Sequence, residues 1–219
     1  MLITLASGSP RRRQLLALTG WPALVRPITV DETAHAGEAP EELARRLALT
    51  KARQGLRQNG GAALVLAADT IVAVGGVLLG KPADAAEAAR MLERLRGRSH
   101  RVVTALALID RRTESELGDV CATEVPMRAY SDDEIQAYAA SGSPLDKAGA
   151  YGIQDRHFQP VAVDRLQGCY ANVMGLPICH LVRTMRRLGH APPVDVPAAC
   201  RGETGYDCPV YANILGEEA

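Results

Sequence analysis

The chain has 219 residues, enough to bury a real core in one large domain or in two lobes of a single sheet. Its 25 Lys and Arg balance 25 Asp and Glu, so a main business of wrapping nucleic-acid backbone, which takes a basic excess, is argued against, while a local basic pocket for a small anion is not. Five cysteines with no CxxC pair do not make a disulfide framework in a chain of this length; with no basic leader and no stretch near membrane-spanning length, a reduced, cytoplasmic setting is expected.

Leu2 to Leu5 is a short apolar strand, followed by Ala6-Ser7-Gly8-Ser9-Pro10 and three arginines, Arg11, Arg12 and Arg13. This predicts a strand, a tight loop and a helix, with Ser9 as N-cap, Pro10 at the first helical position and Gly20 as the stop. Free N–H groups and the positive end of the helix dipole make the Ser7 to Arg13 turn a ready phosphate site. The plainer alternative is a helix start with solvated arginines. A strand over about Ala23 to Val30 should follow, ending in Asp31-Glu32. A second helix then opens at Pro40. Along it Leu43, Leu47 and Lys51 recur every four residues, so Lys51 continues an apolar stripe. A lysine there either snorkels to the rim, the commoner case, or points into a cleft.

Leu64 to Pro82 reads LVLAADTIVAVGGVLLGKP, and Asp69 is a lone carboxylate in its apolar, β-branched part. Such a charge must be paired, hydrogen-bonded or metal-bound, or it takes up a proton. Gly75-Gly76 reads as a two-residue hairpin turn, which would pair Val74 with Val77 and place Lys81 opposite Thr70. Strict alternation puts Asp69 and Lys81 on opposite faces; a bend at Gly80 would let them converge. Asp69 is either a site carboxylate or the cap of a turn.

Asp84 to Glu87 resembles a capping box that opens a helix ending at Gly97, and Arg101 to Ile109 is another strand. Cys121, Thr123, Val125 and Met127 alternate with polar or exposed positions in a strand from Val120 to Met127, an edge strand because of Pro126. Ser131 to Glu134 is a second capping box. Leu145 to Asp155, LDKAGAYGIQD, has no periodicity and mixes charge, glycine and an aromatic ring, as a ligand-lining loop would. A short strand at Val161 to Leu166, a loop from Gly168 to Gly175 and a helix from Pro177 to Leu188 complete a domain of residues 1–190. Residues 191–219 read as an appended Pro/Gly-rich tail, whose Cys200 and Cys208, taken with His190, match no zinc spacing.

The residues alone therefore predict an α/β protein with a cleft holding Asp69, basic groups and an anion-ready helix start. Asp69 and Glu32 are the hard ligands available for Mg²⁺, with Mn²⁺ as a substitute, and lysines and arginine would balance phosphate charge. No Walker A or GxGxxG sequence occurs, which excludes an ordinary P-loop or Rossmann site.

LASGSPRRRQLL, AADTIV, GKP, RSHRVVTA, LDKAGAYGIQ and YANVMGLP, in this order from Leu2 to about Leu188, resemble the Maf family of nucleoside triphosphate pyrophosphatases. The resemblance implies a Maf/Ham1-like (ITPase-like) fold, a long mixed sheet bent around a deep cleft between two lobes. It implies hydrolysis of a nucleoside triphosphate to the monophosphate and pyrophosphate with a divalent metal. Asp69 matches the family's catalytic acid, as proton acceptor or metal ligand; Glu32, Lys51 and Lys81 match metal and phosphate positions; Ser7, Arg11 and Arg12 match the phosphate-facing loop. Arg11, Thr70 and Gln154 fit the members acting on dTTP and UTP rather than the 7-methyl-GTP group. A Gln154 amide can both donate to O4 and accept from N3–H, the edge that uracil and thymine share. The alternatives are a Ham1-like cleaner of deaminated purine triphosphates and a non-catalytic nucleotide- or RNA-binding regulator; the resemblance also implies a link to septum formation. The expected partner is a nucleoside triphosphate, with no stable nucleic-acid complex, no membrane association and a homodimer as the assembly. Asp155-Arg156-His157-Phe158, Cys169 and the tail depart from the family pattern.

Overall fold

The computed structural model describes residues 1–58 and 63–216. Its center is a mixed six-stranded sheet ordered β2-β1-β3-β5-β6, with β4 (Val77–Leu79) paired to the far half of β3. β1 (Ile3–Leu5) runs parallel to both β2 (Ala23–Val25) and β3 (Leu64–Val74), whereas β3, β5 (Ser99–Asp110) and β6 (Ser115–Pro126) are antiparallel. β2 is shorter than the expected Ala23 to Val30. Pro27 has no N–H for a ladder, and after Arg26 donates to the Leu5 carbonyl at 2.9 Å the chain leaves the sheet. β5 extends beyond its expected limits at both ends and β6 at its start, to 12 residues each, which shrinks the charged turn between them.

Period-two alternation in β3 sorts its side chains between two cores. Leu64, Leu66 and Ala68 join the larger one, with α1 (Pro10–Ala17), α3 (Ala85–Leu95), α4 (Asp132–Ala140) and α6 (Ile178–Arg186). Val65 and Ala67 face α2 (Pro40–Gln58) across a layer rich in alanine, including Ala44, Ala48, Ala52, Ala105 and Ala107. Small side chains there let the helix approach the sheet closely. Gly55 continues that contact: a Cβ on it would stand 3.0 Å from Ala6 Cβ and 3.2 Å from a Val65 methyl.

The Gly75-Gly76 turn has positive φ at both residues, 55° and 76°, and pairs Val74 with Val77 as expected. β4 (Val77–Leu79), however, ends before Lys81 can pair with Thr70. The chain departs at Gly80, whose carbonyl accepts from Gly149 N–H at 3.0 Å. Ser9, Asp84 and Ser131 all serve as N-caps, and Ser131 with Glu134 forms the full reciprocal box. The Asp84 box is half-formed, because Glu87 reaches back to the Ala83 N–H instead.

Three expectations are corrected in the C-terminal third. Only Val161 of the expected strand pairs, with Met127, before a 3₁₀ turn at Val163–Arg165. The expected loop contains α5 (Tyr170–Met174), capped by the Cys169 thiol and closed by Gly175 at φ 109°. The stretch after residue 190 is helical: α7 (Val196–Thr204) begins with an Asp195 cap and Pro197 and stops at Gly205, and α8 (Tyr211–Leu215) follows. Both pack against α6. Residues 217–219 lie outside the described ones. No helix among the described residues is long and apolar enough to cross a membrane.

Candidate active site

One cleft of about 690 Å³ is lined by the Ser7 to Arg12 turn, Glu32, Lys51, Asp69, Thr70, Lys81 and the loop from Asp146 to Gln154. It brings together every residue proposed from sequence for the site. Asp69 has the same parity as Val65 and Ala67, so it faces α2, and the Lys51 stripe on that helix meets it. The Lys51 ammonium donates to Asp69 Oδ1 and to Glu32 Oε1, the latter at 2.5 Å. Lys51 is 6% exposed and Asp69 5%, so the lysine does not snorkel; it points into the cleft. Burial raises the Glu32 carboxyl's affinity for a proton, but the hydrogen bond and charge of Lys51, with help from Lys81 and Arg12, hold it below the usual range. Lys81 reaches the cleft from beyond β4, not from a strand register.

Thr70 has the opposite parity and belongs to a second network. Arg12 Nη2 donates to Thr70 Oγ1 at 2.9 Å, its Nε to the Gly175 carbonyl at 2.8 Å and its Nη1 to Ser7 Oγ at 3.4 Å. Behind Thr70 lie Thr104 Oγ1, 3.0 Å away, and the Asn172 carbonyl, which accepts from Thr104 at 3.1 Å. Burial lowers the Arg12 pKa and the charge of Asp69 opposes that shift. Arg12 thus crosses from α1 to α5 and presents its charge beside Asp69. Arg11 has another partner: its guanidinium donates to Asp146 Oδ2 at 2.8 Å and to the Asp146 carbonyl at 3.1 Å, tying α1 to the opposite loop.

That loop consists of two 3₁₀ turns, Ser143–Asp146 and Ala148–Ala150. Lys147, not among the residues expected at the site, is 9% exposed and lines the cleft. Its ammonium donates to the Ser143 carbonyl, Ser143 Oγ and Asp146 Oδ1. A lysine in an irregular, glycine-rich loop was its available signal. Asp155 accepts from Tyr138 at 3.0 Å and Ser143 at 2.9 Å, which secures the loop. Gln154 lines the cleft, and its Oε1 is buried without a hydrogen-bond partner. Gly152 lets both side chains lie close: a Cβ there would come within 2.8 Å of Gln154 Nε2 and 3.0 Å of Lys147 Cε, and both would have to shift.

The loop is tied to β5 by His100, whose Nε2 lies 2.7 Å from Tyr151 Oη. Burial pushes the His100 pKa from 6.5 down to about 4, and Nδ1 has no partner to receive a proton's N–H. The unfolded chain therefore binds the extra proton first as pH falls below about 6.5, and stability is lost between there and about pH 4. Between pH 7 and pH 5 this group should remove about 2 kcal/mol of unfolding free energy. Urea titrations should show that loss in the wild type and a flatter dependence in His100→Gln. Equal pH slopes in the two proteins would remove His100 from the effect.

A family model described as Maf-like protein matches residues 2–188. The dTTP/UTP pyrophosphatase of Myxococcus xanthus is 49% identical over 188 residues, covering 86% of this chain and 93% of that protein. That of Salinibacter ruber is 48% identical over 184 residues, covering 84% and 89%. That of Dehalococcoides mccartyi is 43% identical over 190 residues, covering 87% and 84%. Among solved structures, the Staphylococcus aureus Ham1 protein is 15% identical, with a TM-score of 0.43 over 58% of this chain and 72% of that one.

Proposed function

Since the chain belongs to the Maf family, whose model matches residues 2–188, we propose that it is a cytoplasmic housecleaning enzyme that hydrolyses dTTP and UTP to the monophosphate and pyrophosphate. The observation that carries this reading is the composition of one cleft: the Glu32–Lys51–Asp69 cluster and Arg12 at one wall, and the unpartnered Gln154 amide oxygen at the other. The first group suits a triphosphate, the second a base with an N–H to donate. A volume of about 690 Å³ is within the ordinary range for a small-molecule site.

Lys51, Lys81, Arg12, Ser7 and the α1 N-terminus bind and orient the phosphates, balancing their charge as pyrophosphate leaves. Water attacks the α-phosphorus. Asp69, which accepts from the Lys51 ammonium, takes the proton of that water or holds the metal. Two carboxylates are the protein share that Mg²⁺ or Mn²⁺ takes when a substrate supplies phosphate oxygens, so Asp69 and Glu32 fit as its ligands. Such an ion would add positive charge where the phosphoryl oxygens become more negative. The Lys51 ammonium already lies between those carboxylates, and it would exchange one of them for a phosphate oxygen.

Pyrophosphate release measured with UTP, dTTP, CTP, 7-methyl-GTP and ITP, with Mg²⁺, Mn²⁺ or EDTA, tests this directly. The expected order has UTP and dTTP first and no turnover in EDTA; preference for ITP or 7-methyl-GTP would overturn the substrate assignment. Sedimentation velocity, with and without RNA, tests the homodimer and the lack of nucleic-acid binding that belong to the same proposal.

Gln154→Glu separates specificity from chemistry. The substitution replaces the amide donor with a carboxylate, which repels O4 but suits the cytosine amino group. It should shift the UTP-to-CTP preference by at least about tenfold, equivalent to ~1.4 kcal/mol. Equal losses on UTP, dTTP and CTP would reduce Gln154 to a loop-shaping residue.

A further inference from the structure

The segment after residue 190 lies outside the family match of residues 2–188, yet it is fastened to the domain. Val196 is 1% exposed. Arg183 and Arg186 of α6 donate to the Ile214 and Leu215 carbonyls at 3.4 and 3.2 Å, and Gln14 of α1 to Glu203 at 2.5 Å. From this anchored segment Tyr206 reaches back under α5. Its hydroxyl donates to the Leu166 carbonyl at 2.7 Å, and its ring lies on that of Tyr170 with centroids 5.7 Å apart and planes 34° apart. Cys208, two residues on, donates to the Gly168 carbonyl at 3.8 Å.

Tyr170 in turn holds the base-facing loop. Its hydroxyl donates to the Ile153 carbonyl at 3.1 Å, in a buried position immediately before Gln154. The contacts form a line of three: Tyr206 against Tyr170, Tyr170 onto Ile153, and Ile153 next to the residue whose amide oxygen awaits a partner. α5 ends at Gly175, whose carbonyl accepts from Arg12. The phosphate-facing groups Lys51 and Asp69 are on α2 and β3 and share no contact with Tyr206.

We propose that Tyr206 is a positioning residue for substrate selection, and that the C-terminal helices serve this enzyme as a brace that holds Gln154 against the pyrimidine edge. The inference rests on the dTTP/UTP reading of the cleft. An unbraced Tyr170 ring would be free to turn, the Ile153 carbonyl would lose its donor, and Gln154 would sample orientations that do not match uracil. Phosphate binding and pyrophosphate departure would continue on the other wall.

Tyr206→Ala should raise the KM for UTP about fivefold and lower the UTP-to-CTP preference by a similar factor, the size of an aromatic pair's contribution, with kcat little changed. Tyr206→Phe keeps the ring contact and should keep the wild-type selectivity. Tyr170→Phe removes only the bond to Ile153 and should reproduce the selectivity loss; it decides the matter if Tyr206→Ala fails to fold. Wild-type KM and selectivity in folded Tyr206→Ala and Tyr170→Phe would overturn the brace. Amide hydrogen exchange of the Ile153 to Asp155 segment reads it without substrate: exchange at least about tenfold faster in the two variants supports the brace, and unchanged exchange sinks it. If the wild type shows no preference for UTP, the substrate reading falls, and the exchange result still judges the brace.

Discussion

Asp69→Asn should lower kcat for pyrophosphate release by about 10²–10⁴-fold while leaving the folded protein intact. The residue is 5% exposed and its shape is kept, so packing in β3 does not change. The amide oxygen still accepts from Lys51, whose ammonium also keeps Glu32 as a partner. What disappears is the negative charge that can take a proton or hold a cation. The two roles separate in the metal titration. If Asp69 takes the water's proton, kcat falls at every Mg²⁺ concentration and the half-saturating concentration is unchanged. If it is a metal ligand, that concentration rises and added Mg²⁺ recovers part of the rate. Wild-type turnover in folded Asp69→Asn protein would remove the residue from the reaction and return it to a structural role.

The faces on which Asp69 and Lys51 lie are legible in the sequence; that the two meet is not, because no pattern says which face of the sheet α2 covers. Parity along β3 assigns Asp69 to the face of Val65 and Ala67, and the four-residue spacing on α2 assigns Lys51 to that helix's buried stripe. Both patterns arise from burial, which periodicity records well. The preference of lone lysines for the rim pointed the wrong way, because it describes a lysine without a buried anion opposite. The hairpin register by itself carries Lys81 to the wrong face, and the pairing in fact stops at Leu79, before Lys81. The bend expected at Gly80 is where the chain turns away, with the Gly80 carbonyl taken by Gly149 N–H.

Other parts of the site depend on contacts distant in sequence and leave no periodic trace. Arg11 meets Asp146 across the cleft mouth, and nothing in either local stretch identifies the pair. The C-terminal helices were hidden for a different reason. α7 and α8 have 9 and 5 residues, too few for a long amphipathic repeat, and their prolines and glycines resemble a disordered segment by composition. The cap signals were nevertheless present: Asp195 and Pro197 at one end of α7 and Gly205 at the other. Composition outweighed punctuation in that stretch, whereas in the capping box at Ser131 the two agreed.

Lys51→Met should destabilise the protein by about 3 kcal/mol, because breaking a buried ion pair leaves the remaining charge without its partner. Methionine fills much of the lysine's volume and keeps its flexible stem, so the lost packing is small. Glu32 has a side chain 52% exposed and can turn to water, but Asp69 at 7% cannot. The charge of Arg12 remains near Asp69 and keeps the deficit from being larger. For a chain of this size the melting temperature should fall by roughly 6–12 °C. Turnover should fall as well, since the same ammonium is assigned to phosphate. The double variant Lys51→Met with Asp69→Asn removes both charges, so it should be more stable than Lys51→Met alone, with a coupling of at least about 2 kcal/mol between the positions. Additive effects, or a Lys51→Met cost below about 1 kcal/mol, would mean that solvent or Arg12 already compensates Asp69. The lysine would then owe its burial to the phosphate it binds rather than to the carboxylate that holds it in the structure described above.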